Sequence, residues 1–572
     1  MKSNLSHLVG NSHLTLKIKA TIYHRTSKES FYRVEYRTVD GAKKTMLIGR
    51  EQFRKPTCVV DILLKAHANL PDDEKKAIDA VKEAVRNRSN RTYDLTNRTG
   101  WYGDSFVYLT ETFGELAGKL RHEGPSEIDP ALGLQRGTPE AWREGLRRPC
   151  RYSDFLLFAL SVTGSGPLLD IIGEDEGSVF HFQPQTSPSS VASSQVRTRS
   201  TSGKTLAARA AMSEIGRCRK TDLVTFAATE RAVEDYCFAH NHLAAVFDEE
   251  GRALSVGHGV KINNLPYLVA GGVGTLRSRK ATRDPDLQNL RWSVPVLSNG
   301  ESPLDDPAKR AARPEGAQAR MIPVPVPPGA RGGIFNRVGG SRSHRTKMGR
   351  QLADQVEKTI SSKYGVLMPA YLHQLVPLRG ALPGWVREII DEFVEQVHAN
   401  QDPWERRFAA KFGIVLAAAL LMSEFGVAPW TRKRARIAII GVYKRARAAS
   451  ASSKEAADAL LRRLRKLVRA GKRFPAIQKA QALPPDQANR AWGVIWKLPE
   501  SKRTILIPFD RLKRLVIPSA ITRAVLHELA ARQILLKAED GKLTRQVMIK
   551  GMTGNTKPRY VCLIESAVMK KV

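Results

Sequence analysis

Ser200, Ser202, Gly203, Lys204 and Thr205 stand together at 200–205 and lead straight into an Ala-rich stretch with helical periodicity. These residue types, in this order, suit a bound phosphate chain. Glycine lets the backbone approach closely, and the free N–H groups at a helix start point at an anion. Lys204 is expected to reach the outer phosphates, and the Thr205 hydroxyl to ligate Mg²⁺. ATP and Mg²⁺ are the cofactors this implies. Thr198 occupies the position that the full pattern G-x-x-x-x-G-K-[ST] gives to its first glycine.

Two further strand ends could complete such a site. The apolar run 243–247 ends in Asp248 and Glu249. Asp248 is expected to hold Mg²⁺ through its water shell, and Glu249 to orient and deprotonate an attacking water. Alone, this is an ordinary buried strand with an acidic turn. Downstream of Lys204, with a strand and a helix between, it reads as the second half of a nucleotide site. The apolar run 294–297 then ends in Ser298 and Asn299. A polar residue at such a tip can sense the terminal phosphate, although Asn299-Gly300 is equally a turn pair. The catalytic candidates are therefore Lys204, Glu249 and Asn299. The metal candidates are Thr205 and Asp248. All would lie along the C-terminal edge of a parallel sheet, where open α/β folds bind ligands. Arg277, Arg279, Lys280, Arg283, Arg291, Arg320, Arg331 and Arg337 could each supply a phosphate-facing cation, the arginines among them as an arginine finger, and nothing in the sequence chooses among them.

The elements that must position these residues are legible in outline. Alternating segments at 13–23 and 31–37, then 45–49, read as strands, with helices at 59–68 and 72–86. Residues 1–135 are expected to form an α+β domain. Strand-like and helix-like segments alternate over 136–346, which implies a mostly parallel sheet and an ASCE-type P-loop NTPase core. A Ser/Thr/Gln/Pro-rich loop is expected at 183–202. A helical region follows at 347–430 and a basic helical region at 431–500. The tail, 501–572, reads helix, strand, turn, strand, the order of a winged helix. The fold class is thus α/β with added α+β, helical and winged-helix-like parts.

The 572 residues carry 92 Lys+Arg against 56 Asp+Glu, a formal charge of +36. Such an excess seeks phosphate, so nucleic acid is the expected partner, with DNA favoured. The segment 431–480 holds 16 basic and 2 acidic residues. Arg432, Lys433, Arg434, Arg436, Lys444, Arg445, Arg462, Arg463, Arg465 and Lys466 are the candidate contacts. Aromatic residues are sparse there, so contacts to phosphate are expected rather than to bases. The five cysteines are scattered without a CxxC pair, which excludes a disulfide scaffold or a zinc ribbon and fits a reducing compartment. The longest apolar run, 412–422, falls short of a bilayer. A cytoplasmic protein without membrane contact is the expectation. His240, His242 and Cys237 read as structural.

Several stretches taken in order resemble a known family: GWYGDSF at 100–106, GTPEAWREGL at 137–146, FALSVTGSGPLLDIIGE at 158–174, SGKT at 202–205, TFAATERAVE at 225–234, VFDEE at 246–250 and LSNGE at 297–301. The chain is similar over roughly 15–400 to a bacterial family of unknown function. Its members look like P-loop, helicase-like ATPases of phage, plasmid and integrative-element replication modules. The family's loop resembles G-x-S-S-x-G-K-T. Ser200, Gly203, Lys204 and Thr205 match it, Thr198 replaces its first glycine, and 183–197 looks inserted. The resemblance implies a nucleic-acid-dependent ATPase, a helicase or translocase, with a homo-oligomeric ring among its assemblies. The alternatives are a non-catalytic DNA-binding replication accessory or regulator with a degenerate nucleotide site, and an ATP-dependent effector against foreign DNA.

Overall fold

The computed structural model describes residues 16–25, 28–123, 129–185, 202–225, 228–248, 265–275, 290–300, 320–400, 402–477, 483–497, 503–516, 522–547, 549 and 558–570. Together they make a mixed α/β fold with extensive helical parts.

The N-terminal sheet is built from β1 (Lys17–His24), β2 (Ser30–Arg37), β3 (Lys43–Gly49), β4 (Thr92–Thr96) and β8 (Leu120–His122), in the order β3-β2-β1-β4-β8. β1, β2 and β3 pair antiparallel, while β4 and β8 add in parallel. Alternation puts Tyr32, Val34 and Tyr36 on one face, against α1 (Pro56–Lys65) and α2 (Glu74–Arg86). α2 starts where the Asp73 side chain accepts from Lys76 N at 2.9 Å. A small sheet of β5 (Gly100–Tyr102), β6 (Ser105–Val107) and β7 (Thr112–Phe113) follows, and its Trp101, Phe106 and Phe113 enter the next core.

That core surrounds five strands: β9 (Val179–Pro184), β10 (Val224–Thr225), β11 (Ala245–Asp248), β12 (Val296–Asn299) and β13 (Met321–Val326). All pair in parallel, in the order β10-β11-β12-β9-β13. The helices α4 (Asp154–Ile172) and α5 (Lys204–Met212) pack on this sheet, and α3 (Pro139–Tyr152) packs against α4. The helices Arg342–Ser362, Leu367–Leu375, Leu382–Gln396, Pro403–Glu424 and Arg432–Ala449 share the same apolar core. Phe158 of α4 joins the layers, with ring centroids 5.1 Å from Phe180 and 5.6 Å from Phe412. Among the described residues α4 is the one helix long and apolar enough to cross a membrane, and it is buried inside this core. Ser, Thr and Gly interrupt its apolar residues, so a search for unbroken apolar runs passes over it.

The tail has a separate core. The helix Ser453–Arg469 turns Leu460, Leu464 and Val468 toward the helix Thr522–Ala531 and a mixed sheet. Its strands are β14 (Ala476–Ile477), β15 (Val494–Lys497), β16 (Arg503–Pro508), β17 (Arg545–Gln546) and β18 (Arg559–Ile564), ordered β14-β15-β16-β18-β17. The expected order of helix, strand, turn and strand is present as Thr522–Ala531, a bridge from Leu535 to Leu563, β17 and β18. The winged-helix expectation passed over β15 and β16, and β16 is the central strand. Thr504, Ile505, Leu506 and Ile507 are all buried, so that strand shows no alternation to read. The tail is thus a helix-backed five-stranded sheet rather than a helix with a two-stranded wing.

Candidate nucleotide site

Gly203 adopts φ +83° and caps the start of α5. A Cβ there would meet Ile334 at 2.9 Å. The loop is gripped from the other side by the Gly-Gly turn that follows β13. Ile334 N donates to Ser202 O at 2.8 Å, and a Cβ on Gly333 (φ +57°) would come within 2.5 Å of the same oxygen. Only glycine fits both places without strain.

The side chains behind this loop converge. Lys204 is buried, and its Nζ donates to Ser202 Oγ at 3.1 Å. Thr205 Oγ1 donates to Asp248 Oδ1 at 3.1 Å. Asp248 ends β11, two places along the sheet from the loop strand β9, and Asn299 ends the strand between them, β12. Asn299 is 3% exposed, and its Nδ2 has no hydrogen-bond partner among the described residues. Gln183, on β9, likewise buries Oε1 without one. Buried polar atoms are satisfied in nearly all native proteins, so two orphans at one sheet edge mark where water or a ligand belongs. A glycine-lined loop, a lysine, and a hydroxyl beside a carboxylate form a donor set that fits a Mg²⁺-bound nucleotide.

Ser200, Glu249 and Thr198 lie outside the described residues, as do Arg277, Arg279, Lys280 and Arg283. Of the other arginines, Arg320 pairs with Glu176 at 2.5 Å and Arg337 with Asp154 at 2.9 Å. Arg291 and Arg331 are exposed, and Arg331 ends the short turn directly before Gly332-Gly333. His240 is buried between Asp129 (3.0 Å) and the Ala244 carbonyl (2.8 Å). His242 accepts from Trp101 N at 3.0 Å. Burial pushes the His242 imidazole down to about 4, so it is neutral at pH 7.

The basic residues divide into two kinds. Lys433, Lys444, Arg462, Arg463 and Lys466 are exposed. Arg432 pairs with Glu424 and Arg436 with Glu392, both at 3.1 Å. Arg445 lies 5.8 Å over the Phe155 ring, and Arg465 donates to the Val568 carbonyl at 2.7 Å. Arg434 is drawn inside, 2.7 Å from the buried Asp154, which also meets Arg337 and Asn336. Residues that matter here and were missed in the sequence are Gly333, Gln183 and Asp154. The pair Gly332-Gly333 after an apolar strand was a usable signal. Nothing local marks Asp154, which stands in the first turn of α4.

Comparison with known proteins places these features. Residues 12–283 match a family model described as a domain of unknown function, DUF927. No curated protein matches the chain. A solved structure described as "SCCmec type IV Cch - active helicase" is similar, with a TM-score of 0.54 over 97% of this chain and 94% of that one. The two sequences are 14% identical, so the likeness is one of fold.

Proposed function

We propose that this chain is a nucleic-acid-dependent ATPase of the helicase or translocase class, serving the replication of a mobile element. The observation that carries the reading is the 3.1 Å contact between Thr205 and Asp248. It joins the residue after the loop lysine to the carboxylate at the end of β11. The strand order supports an ASCE-type core, because one strand, β12, separates the loop strand from the acid strand. The fold likeness to a helicase over nearly the whole chain, together with the +36 charge, supports nucleic acid as the partner. Three apolar cores favour an N-terminal unit near 16–96, an ATPase core near 100–449 that lends β8 to the N-terminal sheet, and a tail unit near 453–570, with the helix Arg432–Ala449 belonging to the ATPase core.

In this reading Lys204 and the α5 N-terminus bind the phosphates, with Ser200, Ser202 and Gly203 shaping the loop. Thr205 and Asp248 would hold Mg²⁺, which offsets phosphate charge. Asn299 holds the attacking water beside the terminal phosphate, and Glu249 takes its proton. Among the described residues, Arg331 is the exposed candidate beside the Gly332-Gly333 turn that holds the loop, which favours it as a phosphate contact. Lys433, Lys444, Arg462, Arg463 and Lys466 offer phosphate contacts to DNA. The test is ATP hydrolysis by the purified chain, with and without single-stranded DNA, beside Lys204→Ala. DNA-stimulated turnover lost in the variant is the expected result. DNA binding without any turnover would sink the motor reading and leave a non-catalytic replication accessory.

A further inference from the structure

The N-terminal sheet has two faces, and only one is covered by α1 and α2. The other carries a cavity of about 440 Å³ whose walls include Lys19, Arg33, Glu35, Arg91, Tyr93 and Arg121. A volume in this range suits a small ligand or one unit of a polymer. A break in the β1–β2 register builds it. Ile18 pairs with Val34, yet Ala20 pairs with Arg33, so Lys19 is an extra residue in a bulge. Lys19 and Ala20, neighbours in sequence, therefore line the same cavity, which a regular pleat forbids. Lys19 stands opposite Ile18, on the face that already holds three arginines, and the bulge keeps Ala20 on that face as well.

The charges there are unbalanced. Glu35, the one carboxylate in the wall, is met by Lys43 at 3.0 Å and Lys19 at 3.9 Å. Arg33, Arg91 and Arg121 have no ion-pair partner among the described residues. The Arg121 guanidinium lies 4.7 Å over the Tyr93 ring, with its other side exposed. A guanidinium held flat on an aromatic ring presents a plane on which a base can stack. An acidic peptide could use the charges but not that plane, and a duplex has no free base to offer it.

We propose that this face of the N-terminal sheet binds a single strand of nucleic acid, with phosphates on Arg33, Arg91 and Lys19 and a base on Arg121. The proposal rests on the nucleic-acid reading above for its partner, and on the bulge and the stacked Arg121 for its place. Its test is fluorescence anisotropy of labelled oligo-dT with the full chain, across a salt series. Combined Arg33→Ala, Arg91→Ala and Arg121→Ala is expected to weaken binding at least about tenfold and to flatten the salt slope by about two to three. Arg121→Gln alone, checked by circular dichroism, is expected to weaken binding several-fold and keeps the test valid if the triple variant misfolds. Unchanged affinity in the folded variants overturns this proposal and leaves the ATPase reading standing. No oligo-dT binding by the parent chain defeats both. Equal displacement by polyglutamate would show a surface that reads charge alone, and would overturn the nucleic-acid assignment.

Discussion

Replacing Thr205 by Val removes one hydroxyl and keeps the side chain's shape. That hydroxyl donates to Asp248 Oδ1 at 3.1 Å, and Asp248 is 6% exposed. A hydrogen bond to a charged acceptor is worth about 1.5–3 kcal/mol net. Thr205→Val and Asp248→Ala should each destabilise the protein by at least about that amount. The double variant should cost little more than either alone, because both singles break one bond. The expected coupling is about 1.5–3 kcal/mol, the size of the shared bond, read from chemical unfolding of the four proteins. Nucleotide adds a second readout. Binding of ATP in EDTA should survive Thr205→Val, since Lys204 and the α5 N-terminus remain. The gain in affinity on adding Mg²⁺ should vanish, and turnover should fall at least about a hundredfold, equivalent to about 2.7 kcal/mol. Additive single effects, within about 0.5 kcal/mol, would show that the two residues do not act together. Mg²⁺-dependent turnover in the variant would refute the metal assignment outright.

Two further outcomes follow from the same geometry. Gly333→Ala should cost about 1–2 kcal/mol from its left-handed φ alone. Its Cβ would also push on Ser202 O, so affinity for a fluorescent ATP analogue should drop at least about tenfold, and unchanged affinity would mean the Gly-Gly turn does not hold the loop. His242 has a depressed value of about 4 against an ordinary 6.5, so its stabilising share is full above pH 6.5 and is lost as the pH falls toward 4. The gap corresponds to about 3 kcal/mol, and His242→Asn should flatten urea-unfolding stability over that window relative to the parent. Equal slopes in the two proteins would refute it.

The parts of this protein that are legible in its sequence depend on near neighbours. Alternation over 30–37 is set by the pleat, so β2 is found within a residue. α2 and α5 announce themselves by a cap, by charges at their ends or by a glycine whose φ only it tolerates. Lys204 and Thr205 are adjacent, and the roles proposed for them follow from chain order alone. The bland reading of His240 and His242 also followed from residue type, and both are buried and hydrogen-bonded.

What tertiary structure decided is pairing across long separations. Arg434 sits among exposed-looking lysines and arginines in the sequence, yet it is the partner of Asp154, which lies 280 residues away. Nothing local distinguishes it from Lys433, because burial of a charge is determined by which carboxylate the fold brings to it. The same holds for Gly333 against Ser202, for β16 at the centre of the tail sheet, and for the bulge at Lys19, whose register exists only in the pairing with β2. Chain order set out the residues proposed to bind phosphate. The sheet brought Thr205 within hydrogen-bonding distance of Asp248, because parallel strands end side by side whatever their distance along the chain.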